Sequence, residues 1–114
     1  MTPAHQGLAI EIDQQDDGVL LRVKGELDLS TTAQLSAAID DTAAGVAGTV
    51  TLDLSGVSFI DSSALRVLVM SGRTLLEAGR KLQIGPRSDM VGRVLTMTNL
   101  DQGGDAFDVL PEPG

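Results

Sequence analysis

The strongest constraint on the fold is the stretch Val50–Met70, in which the hydrophobic pattern changes its period. Residues 50–54 are β-branched or apolar with little polarity, which is typical of a buried central strand. Ser55–Gly56 interrupts this run, and residues 57–60 then return to an apolar pattern. From Ala64 onward, apolar residues recur at helical spacing. The stretch therefore predicts a strand, an exposed turn and a helix in that order.

The predicted helix is amphipathic and is expected to end near Ala78, where Gly79 follows. We expect an apolar face of Leu65, Leu68, Gly72, Leu75 and Leu76, and a polar face of Arg66, Arg73, Glu77 and Arg80. Asp61, Ser62 and Ser63 then lie at its N-terminus, where the first backbone N–H groups need a capping side chain. One side chain is enough for a cap, and a hydroxyl here can also accept a phosphoryl group, because a helix N-terminus tolerates the anion. Both interpretations of these three residues are open at this point.

The rest of the chain predicts a sheet built around this unit. An alternating strand at Leu8–Asp13, a turn at Gln14–Gly18 and a strand at Val19–Val23 are typical of an antiparallel hairpin. We further expect a helix from about Thr32 to Ala44 ended by Gly45, a strand at Leu82–Ile84 ended by Gly85-Pro86, and a helix at Asp89–Met97 capped by Ser88. The strands at 50–54 and 82–84 should be parallel, because a helix joins them. Phe107, Val109 and Leu110, after a loop at Asp101–Asp105, are expected to form either a short final strand or a packed tail.

Charge and composition exclude several classes of partner and site. Eight basic and sixteen acidic residues give a net charge of −8, which disfavours nucleic acids and anionic membranes. The absence of Cys excludes disulfides and thiolate chemistry, and the single histidine, His5, lies in a short tail and cannot build a metal site alone. We recognise neither a signal peptide nor an apolar stretch near the ~20 residues of a membrane span, so the sequence predicts a cytosolic protein of one domain.

Three blocks of this sequence resemble STAS domains, in particular the bacterial anti-sigma factor antagonists. DLSGVSFIDSSALRVLV, residues 53–69, resembles the family signature, in which an aspartate, two hydroxyl residues and a small residue form the turn. GELDLST, residues 25–31, resembles the family's G-x-L-D segment followed by Ser or Thr, and residues 88–100 resemble its C-terminal helix and turn. The resemblance covers about residues 8–110 of a single domain at 1–114, with tails at 1–7 and 111–114. It implies an α/β STAS fold: a mixed sheet of four to five strands with three to four helices packed mainly on one side.

The same resemblance implies a function and a set of site residues. It predicts an anti-sigma factor antagonist that binds an anti-sigma factor, itself a serine kinase of the GHKL type, and so frees a sigma factor. Ser63 matches the hydroxyl that the kinase phosphorylates, Ser62 is the second choice, and a PPM-type serine phosphatase would reverse the reaction. The implied partner-binding residues are Asp28, Asp61, Ser62, Ser63 and Ala64. No catalytic residue, cofactor or metal is implied, no nucleic acid or membrane is expected as a partner, and a weak homodimer stays open.

Two positions depart from the family pattern. Ala64 and Asn99 stand where the family often has Gly; Ala favours a helix and Asn tolerates the left-handed conformation, so the fold should not change. A different function is a STAS subunit without a switch, in a stress-signalling scaffold or a lipid-transport ATPase complex. An enzyme with Ser63 as nucleophile is disfavoured because no histidine is near it in sequence. Direct binding of a nucleotide to the domain stays open.

Overall fold

Strands and helices alternate along most of the chain in the computed structural model, which describes residues 8–45, 48–100 and 104–111. In chain order the elements are β1 (Leu8–Gln15), β2 (Gly18–Leu27), α1 (Thr32–Gly45), β3 (Thr49–Ile60), α2 (Ser62–Glu77), β4 (Lys81–Arg87), α3 (Asp89–Met97) and β5 (Asp108–Val109). Three parts of the chain lie outside the described residues: the expected tail at 1–7 with His5, residues 101–103 of the expected loop, and residues 112–114 of the expected tail at 111–114. Within the described residues, no helix is both long and apolar enough to cross a membrane.

The five strands form one mixed sheet in the order β1-β2-β3-β4-β5, so β3 is central, as the sequence predicts. β1 and β2 form the predicted antiparallel hairpin around Asp16-Asp17, and the other neighbours are parallel. The parallel pairing of β3 with β4 across α2 is also confirmed. The short final strand is confirmed as β5, which lies parallel to β4.

One face of this sheet carries the hydrophobic core. In the register of the sheet, Leu21 lies beside Leu52, and Leu52 beside Ile84, so these side chains point to the same face. All three are fully buried. The helices complete the same core cluster with Leu35 and Ile39 from α1, Leu65, Leu68 and Leu75 from α2, and Val91 and Leu95 from α3. The predicted α/β architecture, a mixed sheet whose helices share one core with it, is therefore confirmed, with five strands and three helices in the described residues.

Three predicted strand ends are wrong, because the strands continue through places where the pairing shifts register. β2 runs on past Val23 to Leu27. β3 runs on through Ser55–Gly56, where its pairing with β2 shifts register beside Lys24. β4 runs on through Gly85-Pro86, where β4 holds one more residue than β3 and the ladder skips to Arg87. A bulge leaves one residue unpaired, which suits proline because it has no backbone N–H to donate.

Two expected core positions are also wrong. Leu76 was placed on the apolar face of α2 but is 43% exposed, since it is rotated by about 100° from its buried neighbour Leu75. The alternation in β1 puts Ile12 on the same face as Leu8 and Ile10, which pack against the core, but Ile12 is 58% exposed on this edge strand. α1 donates a hydrogen bond from Gln34 to the Leu8 carbonyl oxygen at the other end of β1.

The segment before β5 packs backbone to backbone against α2. A Cβ atom at Gly72, which is buried in α2, would overlap the carbonyl oxygen of Ala106. The next residue, Phe107, is only 3% exposed, and the Leu110 N–H donates to the Ile84 carbonyl oxygen over 2.9 Å. α2 is thus held on one side by the sheet and on another by this C-terminal segment.

Candidate functional site at the start of α2

The site predicted from sequence lies at the C-terminal ends of β2 and β3, two inner strands of the sheet. Leu27, the last residue of β2, pairs with Ile60, the last residue of β3. The Asp61 N–H then donates to the Leu27 carbonyl oxygen over 3.0 Å. Asp28 directly follows Leu27 in the chain, so the structure brings the Asp28 turn and the start of α2 together.

Asp61 is the N-cap of α2, which confirms the capping interpretation of this residue. Its backbone is extended, with φ −122° and ψ −178°, and its carboxylate accepts a hydrogen bond from the Ala64 N–H over 3.2 Å. The Asp61 carbonyl oxygen accepts from the Leu65 N–H over 3.2 Å. The capping bond uses one of the four N–H groups that a helix leaves without intrahelical partners.

The two serines after the cap are the first residues of α2. Ser62 is exposed, Ser63 is partly exposed and Ala64 is buried. Among the residues that the structure describes, neither serine hydroxyl makes a hydrogen bond. Capping therefore explains the role of Asp61 but not those of Ser62 and Ser63, whose hydroxyls have no hydrogen-bond partner among the described residues.

The Asp28 turn is fixed by its own side chains. The Asp28 carboxylate accepts from the Ser30 hydroxyl over 2.7 Å and from the Ser30 N–H over 3.0 Å. The hydrogen bond from the Ser30 hydroxyl, more than any other contact, holds the pKa of Asp28 below its ordinary value. The Thr31 hydroxyl accepts from the Asp28 N–H and donates to the Glu26 carbonyl oxygen. By residue type, either Ser30 or Thr31 could cap the next helix, but both use their hydroxyls within the turn.

Sequence reasoning missed the exposed apolar residues beside these turns. Leu29, between Asp28 and Ser30, is 75% exposed, and Phe59, just before the end of β3, is 42% exposed. Met70 on the outer side of α2 is 60% exposed. Large exposed apolar side chains beside polar ones are typical of surfaces that bind another protein. The sequence did contain one sign of an exposed apolar residue, because Leu29 stands alone among polar residues in a turn.

This end of the molecule does not resemble a metal centre or a ligand pocket. Within the described part of the chain, no three His, Cys, Asp or Glu side chains lie close enough together to hold a metal ion. A cleft of about 440 Å³ lies at the opposite ends of the same strands, where β2 and β3 begin. It is lined by Gly18, Val19, Thr49 and neighbouring residues. Ala64 is buried, and the other predicted site residues, Asp28, Asp61, Ser62 and Ser63, are partly or fully exposed.

Comparison with known proteins decides the family. A family model described as "Mlab, STAS domain" matches residues 10–111. The chain belongs to the STAS domain family. Among curated relatives, this STAS domain is 30% identical over 93 residues to the anti-sigma-B factor antagonist of Staphylococcus aureus (strain NCTC 8325 / PS 47), covering 82% of this chain and 86% of the relative. It is 26% identical over 109 residues to the anti-sigma-F factor antagonist RsfB of Mycobacterium tuberculosis, covering 94% of this chain and 87% of the relative.

A solved structure supports the same assignment. The crystal structure of an anti-sigma factor antagonist from Mycobacterium paratuberculosis superposes with a TM-score of 0.77 at 25% identity, covering 91% of this chain and 86% of that one. The resemblance to STAS-domain anti-sigma factor antagonists drawn from the sequence is therefore confirmed. The roles of the individual residues at the start of α2 stay predictions.

Proposed function

We propose that this STAS domain is an anti-sigma factor antagonist that works by partner switching, with Ser63 as the phosphorylated residue. The observation that carries this proposal is the pair of serine hydroxyls at the start of α2, which are left over once Asp61 has capped the helix. Exposed Leu29 and Phe59 lie next to these turns in the chain and supply apolar surface for a protein partner. The names of the relatives support an anti-sigma factor as that partner.

In the proposed cycle, the unmodified domain binds an anti-sigma factor and thereby frees its sigma factor. The anti-sigma factor is a GHKL-type kinase, and it transfers the γ-phosphoryl group of ATP to the Ser63 oxygen. The oxygen–phosphorus bond forms as the bond to ADP breaks, and the hydroxyl proton is lost. A PPM-type phosphatase later hydrolyses the phosphoserine to serine and inorganic phosphate.

The phosphate would weaken the complex through charge and desolvation. It adds about −1.5 to −2 charges at neutral pH, close to the carboxylates of Asp28 and Asp61. Moving a complex from 99% bound to 1% bound takes about 5.5 kcal/mol of differential affinity. Desolvation of an ionised group at an interface costs several kcal/mol even when the group is paired, so one phosphate at the contact surface can produce a change of this size.

Ser63 is the better candidate of the two serines, because it is only partly exposed and lies beside buried Ala64. A group added there changes the surface at the point where α2 meets the body of the domain. Ser62 is exposed on the outer side of the helix and serves as the matched control.

The test has two steps. Mass spectrometry of the domain purified from its native cells, across growth and stress conditions, should find phosphate on Ser63 with an occupancy that changes with condition. The anti-sigma factor that co-purifies is then tested for binding to Ser63→Asp, Ser63→Ala and the control Ser62→Ala. Ser63→Asp should bind more weakly, though only in part because one carboxylate is a poor copy of a dianion, while Ser63→Ala and Ser62→Ala should bind normally.

Two results would contradict the proposal. Equal binding by Ser63→Asp and Ser63→Ala would remove the switch from this residue. No phosphate on any Ser or Thr under any condition would instead favour the alternative from the sequence, a STAS subunit of a scaffold or transport complex that does not switch.

A further inference from the structure

The outer side of α2 carries a row of exposed residues, two of them arginines, that have no role in the proposed cycle. Ser62, Arg66, Met70 and Arg73 follow one another at spacings of four, four and three residues, and all are exposed. Residues at such spacings lie on the same side of a helix. The serine at the start of this row thus lies one helical turn before an arginine.

Arg66 has no anionic partner in the unmodified protein. Across residues 8–45, 48–100 and 104–111 it makes no hydrogen bond and no ion pair. The first turn of α2 contains no acidic residue, and the cap, Asp61, already accepts from the Ala64 N–H. The other nearby carboxylate, Asp28, accepts from both the N–H and the hydroxyl of Ser30.

The general direction of side chains in a helix favours an approach of Arg66 to the serines. Every Cα–Cβ bond in an α-helix tilts toward the helix N-terminus, so a long side chain covers the turn that precedes it. For Arg66 that turn contains Ser62, four residues earlier, and Ser63, three residues earlier. A guanidinium group can donate two parallel hydrogen bonds to phosphate oxygens.

We propose that Arg66 binds the phosphate of the modified serine within the same chain. This inference rests on the proposed phosphorylation of Ser63 and adds a second effect to it. In the unmodified domain, Arg66 can form an ion pair with an acidic group of the partner protein. In the phosphorylated domain, Arg66 pairs with the phosphate instead. Phosphorylation then adds negative charge to the contact surface and also withdraws a positive charge from it.

The test measures the second pKa of the phosphate, which lies near 6 for an isolated phosphoserine. Phosphoserine is placed at position 63 by genetic code expansion, and its phosphorus-31 resonance is followed against pH in the full chain. A nearby cation favours the dianion, so Arg66→Gln should raise this pKa by about 0.3 relative to the unmutated phosphoprotein. Arg66→Lys keeps the charge without the paired donors and should give an intermediate value.

The matched control is Arg73→Gln on the same row. Arg73 lies ten residues after Ser63, about 15 Å along the helix axis, and its substitution should leave the phosphate pKa unchanged. Equal pKa values for the unmutated phosphoprotein and Arg66→Gln would overturn the proposal, as would equal shifts from the two substitutions. Circular dichroism of each variant confirms that α2 is intact.

This experiment is independent of whether cells phosphorylate the domain, because the phosphate is installed during synthesis. Failure of the switch proposal would be seen as absent phosphate in native cells, whereas failure of the Arg66 proposal would be seen as an unchanged titration. A second phosphoprotein, with phosphoserine at position 62, compares the two serines. A shift from Arg66→Gln at position 62 but none at position 63 would also overturn the proposal for Ser63.

Discussion

Replacement of Gly72 by alanine should destabilise the domain, although the same change in an exposed helix is stabilising. In an exposed helix interior, alanine is favoured over glycine by about 1 kcal/mol. At Gly72 the added Cβ would overlap the Ala106 carbonyl oxygen, a backbone atom that no rotamer change can move. The Ala106 segment cannot retreat freely, because Phe107 is 3% exposed and the Leu110 N–H is bonded to the Ile84 carbonyl oxygen.

The magnitude follows from these two opposing effects. Overpacking in a filled interior typically costs about 1–3 kcal/mol, and withdrawal of a buried Phe from the core costs about 1.5–3 kcal/mol. After subtraction of the helix gain of about 1 kcal/mol, we expect the free energy of unfolding to fall by about 0.5–2 kcal/mol. For a domain of this size, the melting temperature should then fall by about 2–8 °C.

Urea denaturation followed by circular dichroism measures this change, with an unchanged m-value as the sign that the unfolded state is the same. Gly104→Ala is the matched control from the same C-terminal segment. Apart from its chain neighbours, none of the described residues has an atom within 4 Å of the added Cβ, so the stability of this variant should stay within about 0.5 kcal/mol of the parent. Stabilisation by Gly72→Ala would refute the argument, since helix propensity would then outweigh the contact with Ala106.

Two further predictions concern the turns at the site. Asp61→Ala removes the cap and should lower the free energy of unfolding by about 1 kcal/mol in the same urea assay. Asp61→Asn keeps an acceptor, so its stability should stay near that of the parent. Equal stability of all three proteins would show that the cap does not stabilise the domain. The pKa of Asp28 is lowered by the Ser30 hydroxyl, so Ser30→Ala should raise it toward the ordinary aspartate value in an NMR titration, while Ser55→Ala should leave it unchanged. The pKa of Asp28 is lower in the folded than in the unfolded protein. Its contribution to stability is therefore present above the ordinary aspartate pKa and is lost as the pH falls through the folded value. An Asp28 pKa that does not respond to Ser30→Ala would contradict this assignment.

The sequence predicted most of the fold because its signals for the helices are local. The change of hydrophobic period after Ile60 marks the start of α2, and Ser88 and Gly45 lie at a helix start and a helix end as expected. The strand ends were harder, since the continuation of β3 through Ser55–Gly56 depends on hydrogen bonds from β2 rather than on its own residues. Pro86 within β4 is tolerated for a similar reason, because a bulge beside β3 takes it out of the ladder.

The site was predictable in its residues but not in its assembly. The cap by Asp61 follows from residue type and position alone. That the Asp28 turn lies beside it depends on the pairing of Leu27 with Ile60, two positions far apart in sequence. Leu29 and Phe59 were missed because an apolar side chain counts as a core candidate until burial is known, and here both are exposed.

The hydrogen bond from the Asp61 N–H to the Leu27 carbonyl oxygen is made entirely by main-chain atoms. It joins the two turns without requiring any particular side chain at positions 29, 62 or 63. If the proposed function holds, substitutions at these three positions should change the affinity for a protein partner while this main-chain bond between the turns is kept. Duplicated copies of such a domain could then diverge toward different partners through surface residues alone.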